Sequence, residues 1–419
     1  MQNGYQFLIS LDFWGLVTVF WYFILFEVPR YILSSLAVGL RAAFAKSDPL
    51  PDSNIPISVL LVGHNEGQAL KRAVLGLTEQ THRNLQIVVV DDGSNDDMAA
   101  VGRSLQKNGD IDFFISSGIR GGKASALNLG LRYCQHNTLI VMDIDTSLDR
   151  DAISRCLAPL FSDPSLGAVA GNIAVRNPYA SLMTSFQAIE YYGNISIGRQ
   201  FTSMFGILAI VSGAFGAFRK SAIQDVGGWD VGPGDDSNLT TKLRRAGWGI
   251  AFAHDAWALT HAPVTHDAVV RQRLRWNRSL IRNRVRKFKS VFNPFHANFI
   301  LSDMLAALNL IWFLLALTAG FFIYIAHILI HYSEIALTLF IAIHLLSMIG
   351  DIAEFVIAMI FTRRPGMWRL LPYVIGYSFY IGYYQRVIRA TAYLSELTFR
   401  HSYDDPFYPQ KVRQAQEQF

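Results

Sequence analysis

Asp143-Ile144-Asp145 closes a short β-branched run, and alternate residues at a strand end aim two carboxylates at one point. A pair of hard oxygen ligands there suits Mg²⁺ or Mn²⁺ holding a diphosphate. Asp91-Asp92-Gly93-Ser94 ends another such run, although Asp-Gly is also ordinary turn chemistry. Gly121-Gly122-Lys123 opens a helical stretch through Ala126 and Leu131, which offers backbone N–H groups and an ammonium to an anion. It lacks the Gly-x-x-x-x-Gly-Lys-Ser/Thr spacing of a P-loop. Gly232-Pro233-Gly234-Asp235-Asp236 leads into a helical Asn238 to Ala246, where an acid pair serves equally well as a cap in the field of the helix dipole. Last comes Gln272-Arg273-Leu274-Arg275-Trp276, inside a run from Arg271 to Lys289 with nine arginines and lysines and no acid. A long apolar segment begins near Ile300, so this cationic, aromatic-tipped element belongs where a polar module meets a membrane. A bare membrane-surface face is the plainer account of that run taken alone.

The elements that must carry these groups alternate between strand and helix. Ile57 to Gly63, Leu85 to Asp91, Ile111 to Ser116 and Thr138 to Asp143 are short runs rich in Val and Ile, separated by helical stretches and turn residues. That texture predicts an α/β fold with a mostly parallel sheet covered on both faces. Ligands on such sheets gather at the carboxyl ends of the strands, where the acids fall. Gly167 to Ala174 and Val211 to Phe218 are candidates for further strands. Tyr179 to Leu208 is aromatic and mixed, and its periodicity does not decide its structure. Ala268 to Phe292 reads as a basic amphipathic helix at the interface.

Composition places part of the 419-residue chain in lipid, because 51% hydrophobic and 16% charged residues are unusual for a wholly soluble protein. The net charge of +5 is concentrated beside apolar segments, and no zinc-finger, RRM or helix-turn-helix pattern is present. Membrane lipid or a nucleotide phosphate is therefore the expected partner, and nucleic acid is not. Cys134 and Cys156 have no metal-type spacing and give no disulfide framework. The N-terminus lacks a basic n-region and is expected to be retained. Phe13 to Phe26 is free of charge and, extended on either side, is long enough to cross a bilayer. Glu27, Pro29 and Arg30 leave open one long kinked helix or a helix plus an interfacial turn. Arg41 and Lys46 follow, which by the positive-inside tendency puts the next module in the cytoplasm. Pro49, Pro51 and Pro56 mark a linker. Met304 to Ile330, Ile335 to Phe361 and Met367 to Tyr384 are three more membrane candidates. Asp351 and Glu354, inside the second of these, either touch a translocating substrate or pack against Arg386 or Arg389. The expected divisions are 1–48 (membrane segment), 55–267 (cytoplasmic domain), 268–299 (interfacial helix), 300–398 (membrane helices) and 399–419 (cytoplasmic tail).

Taken in order, the Asp91-Asp92-Gly93 turn, Gly122-Lys123, Asp143-Ile144-Asp145, Gly234-Asp235-Asp236 and Gln272 to Trp276 resemble the D, D, D, QxxRW pattern of processive family 2 glycosyltransferases. These are the membrane synthases of hyaluronan, chitin-like oligosaccharides, cellulose, curdlan and poly-N-acetylglucosamine. The resemblance spans about residues 55 to 290. It implies a GT-A (Rossmann-like) fold, a UDP-sugar donor, Mg²⁺ or Mn²⁺, and inversion at the anomeric carbon. Carried over by position, Asp92 binds the uracil and His64 takes the place of an aromatic that stacks on it. Lys123 holds the nucleotide, and Asp143 and Asp145 serve the diphosphate and metal. Gln272 and Arg275 approach the pyrophosphate. Trp276 and Asp235 face the acceptor, and Asp236 is the general base. Val62-Gly63-His64-Asn65-Glu66 departs from the usual Pro-Ala pair before the aromatic-Asn-Glu stretch, and Gly-Asp-Asp replaces Thr-Glu-Asp. Leu259 to Pro263 has a curdlan-synthase flavour. The resemblance thus implies a multi-pass inner-membrane synthase with a cytoplasmic catalytic domain, which elongates a polysaccharide from UDP-glucose or UDP-N-acetylglucosamine and exports it through its own helices, with accessory export subunits as further partners. The alternative is a nonprocessive transferase adding one sugar to a lipid.

Overall fold

Every residue of β1 (Ile57–Gly63) is buried, which is why Ile, Val and Leu run through it without alternation: helices cover both of its faces. β2 (Leu85–Asp91) and β4 (Thr138–Asp143) flank it in parallel, and β3 (Phe113–Ser116) lies parallel beyond β2. β7 (Phe215–Arg219) runs antiparallel to β4, and β6 (Leu166–Val175) antiparallel to β7. β8 (Gly249–Thr260) is parallel to β6, and β5 (Ser147–Leu148) closes the edge antiparallel to it. The order is thus β3-β2-β1-β4-β7-β6-β8-β5. Register sets Gly63 opposite Asp91 and Val62 opposite Asp143, so the acids that end β2 and β4 stand at one level on either side of β1. The computed structural model describes residues 2–44, 48–297 and 299–415, and Lys46 lies outside the described residues.

Two apolar layers sandwich the sheet. On one side Leu70, Val74 and Leu77 of the Gly67–Thr78 helix join Ile153 and Leu157 of the Ala152–Ser162 helix. On the other, Leu127 of the Lys123–Leu131 helix packs in one cluster with Leu239 and Leu243 of the Asp235–Arg245 helix. Sharing a face puts the N-termini of these two helices, one beginning with Lys123 and the other with Asp235 and Asp236, over the same strand ends.

The expected β-runs form strands, with β3 starting two residues late, where Asp112 spends its carboxylate on the Ile87 N–H (2.7 Å), and β7 starting at Phe215 rather than Val211, whose N–H goes to Thr240 Oγ1 (2.9 Å). β8 was not anticipated. Its pairing with β6 slips between Gly171 and Asn172, leaving His254 to Ala256 unpaired, and a bulge of that kind breaks the alternation by which a strand is read. The undecided stretch Tyr179 to Leu208 is helical, and its Phe186, Ile189 and Tyr192 pack against Phe355, Tyr377 and Tyr380.

Among the described residues three helices are long and apolar enough to cross a membrane: Phe13–Arg41, Leu301–His331 and Ser333–Thr362. The first resolves the alternatives left by Glu27, Pro29 and Arg30. It is one helix, kinked at Phe20 (φ −107°, ψ 21°) and continued through Pro29 by a π-turn at Phe23–Leu33. π geometry accommodates the missing proline N–H, and Glu27 and Arg30 are matched inside the protein. Glu27 pairs with Arg386, and Arg30 donates to the Phe313 carbonyl (2.9 Å) and Asn194 Oδ1 (3.1 Å). Asp351 and Glu354 are both buried. Arg386 goes to Glu27 rather than to either of them, and Glu354 closes on the backbone at Gly193.

Met367 to Tyr384 does not meet the length and composition of a span. Its 3₁₀ start at Met367–Tyr373 leads through Val374–Phe379 into Gln385–Phe399, a helix lying along His266–Leu280 with Gln385, Arg386 and Arg389 turned inward. The basic run also departs from a simple surface face. Arg273, Arg282 and Arg284 are only 5%, 1% and 2% exposed, because acids and carbonyls distant in sequence meet them.

Candidate active site

Lys123 is the hub. Its ammonium pairs with Asp143 and reaches the Gly213 carbonyl (3.4 Å). A Cβ at Gly213 would lie 2.8 Å from Lys123 Nζ and 4.0 Å from Asp236 Cβ, so Gly213 is the floor under both groups. Burial pulls the ammonium down, but Asp143, Asp235 and Asp236 outweigh it and hold Lys123 above the ordinary lysine range. Burial, with Asp236 and Asp143 added, pushes Asp235 up to about 6 against the pull of Lys123. Asp236 is fixed by the Ser237 N–H, which donates to its Oδ1 (2.7 Å). Three acids from one helix and one strand end therefore share one cation, which a second helix supplies.

Asp145, two residues past the end of β4, is raised by burial and by Asp143. Glu66, which the sequence reading left without a role, belongs to the same group. Its carboxylate lies over Gly63, where a Cβ would be 2.5 Å from Oε2. Burial and then Asp145 and Asp143 push it up to about 8. Among the described residues no three His, Cys, Asp or Glu side chains are arranged to hold a metal ion. The carboxylates at Asp143 and Asp145 nevertheless fit a cation that takes one or two protein oxygens and completes its shell with water and phosphate. Their crowding, expressed in the raised Asp145 and Glu66, is the electrostatic deficit such a cation relieves.

A stability prediction follows from Glu66. Its folded-state pKa lies above the usual 4.5, so between those values the folded protein holds the extra proton and stability falls as pH rises. Glu66→Gln is expected to raise the melting temperature of the ligand-free protein at pH 8.5 by about 2–4 °C, a change worth roughly 1 kcal/mol in a domain of this size. The gain should vanish at pH 4.5. An equal gain at both values in scanning fluorimetry would count against the crowding.

Asp92 has both oxygens engaged, accepting the Gly121 N–H (2.7 Å) and the Gly122 N–H (2.8 Å). It therefore holds the turn before Lys123. Gly122 sits at φ 84°, in the region that favours glycine. Asp91 accepts from Ser116 Oγ (2.7 Å) and the Ser94 N–H (2.9 Å). His64 stands beside them with Nδ1 3.0 Å from the Asp92 carbonyl.

From the His266–Leu280 helix, Trp276 is 41% exposed and carries the Arg273 guanidinium 4.5 Å from its ring centroid. Arg273, overlooked in the motif, is the inward anchor and donates to Glu190 Oε2 (2.7 Å). Gln272 Oε1 is buried with no hydrogen-bond partner among the described residues. Arg275 stacks on Phe407, 3.7 Å from the ring centroid. The C-terminal stretch thus folds over the site: Arg120 donates to the Phe407 carbonyl (3.2 Å), Val412 abuts Gly122, and Tyr408 lies within electrostatic reach of Asp235, Asp236 and Arg275. Arg199 was also missed. It is within reach of Asp236, and its Nη1 is buried without a hydrogen-bond partner among the described residues.

Residues 58–227, which contain Lys123 and the acids of β2 and β4, match the family model Glycosyl transferase family 2. That stretch is similar to the glycosyltransferases of family 2. A poly-beta-1,6-N-acetyl-D-glucosamine synthase of Staphylococcus aureus is 31% identical over 231 residues, 54% of this chain and 56% of the relative. The synthase of that name from Staphylococcus epidermidis is 31% identical over 221 residues, 52% and 53% of the two chains. The chain thus spans about half the length of the curated relatives it matches. A mannosyltransferase from Pyrobaculum calidifontis, solved with GDP-Man and Mn²⁺, superposes with a TM-score of 0.62 at 19% identity, covering 91% of this chain and 99% of that one. The transferase domain shares that fold, and with it the expected mostly parallel sheet.

Proposed function

We propose that the chain is a membrane-embedded, processive, inverting β-glycosyltransferase that elongates a polysaccharide from a UDP-sugar and exports it through its own helices, with the transferase domain on the cytoplasmic side of the inner membrane. UDP-N-acetylglucosamine is the preferred donor over UDP-glucose, on the names of the staphylococcal relatives. The observation that carries the reading is the gathering of Asp143, Asp235 and Asp236 around Lys123, beside the helix that presents Gln272, Arg275 and Trp276.

In this reading Asp236 accepts the proton of the acceptor hydroxyl as that oxygen bonds to the donor C1. The bond from C1 to the diphosphate oxygen breaks with inversion, and UDP leaves with the electron pair. Asp143 and Asp145 would hold Mg²⁺ or Mn²⁺, which offsets charge on the diphosphate; the Pyrobaculum transferase binds Mn²⁺. Lys123 and Arg275 contribute fixed positive charge to the leaving group. Arg275 must exchange Phe407 for phosphate oxygens, to which its planar fork presents parallel donors. His64 and Asp92 line the uracil end, with Asp92 setting the turn. Asp235 and the Trp276 ring face the acceptor.

Incubating the purified chain in lipid nanodiscs with radiolabelled UDP-N-acetylglucosamine or UDP-glucose, with and without Mn²⁺, tests the reading. Cation-dependent polymer is expected from the first donor. A single-sugar lipid product would overturn processivity, and no transfer from either donor would overturn the activity. Trp276→Ala removes an aromatic platform of the kind that contributes about 1 kcal/mol or more through stacking. It is expected to raise the acceptor KM about tenfold while donor KM stays within about twofold, the range that such a loss spans.

A further inference from the structure

The loop that delivers Asp235 and Asp236 has little side-chain matter of its own. Gly232-Pro233-Gly234 passes through φ 124° and 71° at its two glycines, and the helix that follows has no side-chain cap at Gly234. Such a segment has many conformations open to it unless something outside holds it. Ser237 Oγ donates to the Gly234 carbonyl (3.0 Å) and Arg282 Nη1 reaches the Pro233 carbonyl (3.5 Å), and the residue that bonds both carbonyls at once is Asn283. It lies in the π-turn Ile281–Lys287, which continues the helix bearing Gln272 and Trp276, and it is completely buried. Its Nδ2 donates to the carbonyls of Pro233 (3.3 Å) and Gly234 (3.2 Å) and stands 3.0 Å from Ser237 Oγ. Two of those partners are carbonyls, which accept only, so the nitrogen rather than the oxygen of the amide must face the loop. A Cβ at Gly234 would lie 2.8 Å from Asn283 Nδ2, a contact that leaves no room for another side chain.

A second clamp spans the same joint. Asp230, at the start of the loop, accepts from Lys242 (2.6 Å) on the base helix and from Lys287 (2.5 Å) at the end of the π-turn. π-turns inside helices are often found at functional sites. Here the wider turn accompanies the inward placement of Asn283 and Arg284, in a run whose composition alone suggests a solvated or lipid-facing surface.

We infer that Asn283 is a positioning residue for Asp236, locking the base loop to the interfacial helix so that the carboxylate and the acceptor platform move as one unit. The inference rests on the reading of Asp236 as general base. The physical case is one of geometry: displacing a catalytic group by about 1 Å costs on the order of 10²-fold in rate, and no residue within Gly232-Pro233-Gly234 supplies a side-chain hydrogen bond that would prevent it.

Asn283→Leu keeps the volume and removes the donor. Asn283 Oδ1 already has no hydrogen-bond partner among the described residues, so the substitution removes that buried polar atom too and the folding cost is limited. The variant, assayed as full chain in nanodiscs with labelled UDP-N-acetylglucosamine and Mn²⁺, is expected to lose about 10- to 100-fold in kcat with donor KM within twofold. Unchanged kcat, or a donor KM that rises in step with the loss, overturns the inference. Combining it with Asp236→Asn separates the two readings. If Asn283 acts through Asp236, the double variant has the residual rate of Asp236→Asn alone. A further 10-fold drop means that Asn283 acts elsewhere while the base reading stands, whereas substantial turnover by Asp236→Asn sinks the base reading itself. Should Asn283→Leu fail to fold, Gly234→Ala displaces the same joint from the other side and is expected to give the same kcat-only loss; wild-type turnover by that variant overturns the inference.

Discussion

Asp236→Asn is expected to bind UDP as the parent does and to lose sugar transfer by about 10²- to 10⁴-fold, the usual worth of a positioned proton acceptor. A sugar hydroxyl is a poor nucleophile at neutral pH, and among the three acids around Lys123 only Asp236 combines access to Gly213 with freedom from a direct ion pair. Asp143 is taken by the Lys123 ammonium, and Asp235 is held high by burial and its neighbours, at about 6. Asparagine keeps the shape and the hydrogen bond from the Ser237 N–H through its own oxygen, so the loss should appear in kcat alone. Calorimetry with UDP and Mn²⁺ and initial rates with labelled donor make the comparison. If nucleotide affinity falls together with turnover, Asp236 is a binding group and the base must be sought among its neighbours.

How much of this was legible beforehand depended on how local the cause was. β1, β2 and β4 announce themselves because a strand buried on both faces needs an unbroken apolar run, and the acids at their ends stand out against it. Lys123, Asp143 and Asp236 were found as types at fitting intervals. That the acids share Lys123 comes from two helices packing on one face of the sheet, which no interval encodes. Glu66 sits two residues from His64, yet its crowding comes from Asp143 and Asp145, far along the chain. The inward half of the basic run was hidden for the same reason. Nine like charges beside an apolar segment describe a membrane face until Glu190 appears against Arg273 and Glu396 against Arg286. β8 was lost to its bulge. Phe407, which covers Arg275, had no signal at all: an aromatic in a polar tail carries no mark of what it will stack on.

Lys123→Met should have the larger structural effect. Methionine fills the space of the alkyl stem but leaves Asp143, Asp235 and Asp236 without the charge that offsets them. Removing one partner of a half-buried charge cluster leaves the remaining like charges crowded and only partly solvated. Asp235, already raised with the ammonium in place, must rise further. The sign then follows: a carboxyl whose folded pKa exceeds its unfolded value stabilises least at high pH, so the variant should melt progressively below the parent as pH climbs from 5 to 8. Transfer should fall by more than about 10²-fold, the scale seen when a preorganised electrostatic group is lost. The cation response should move the other way, since Asp143, released from its ion pair, is free to bind metal: half-saturation by Mn²⁺ in a melting-temperature titration is expected at lower concentration than in the parent. Lys123→Arg restores the charge on a wider planar group that must fit above Gly213, and should recover stability at pH 8 more fully than turnover. A Lys123→Met protein that melts in parallel with the parent across this pH range would show that the three acids do not depend on Lys123, and the site would have to be rebuilt around another cation.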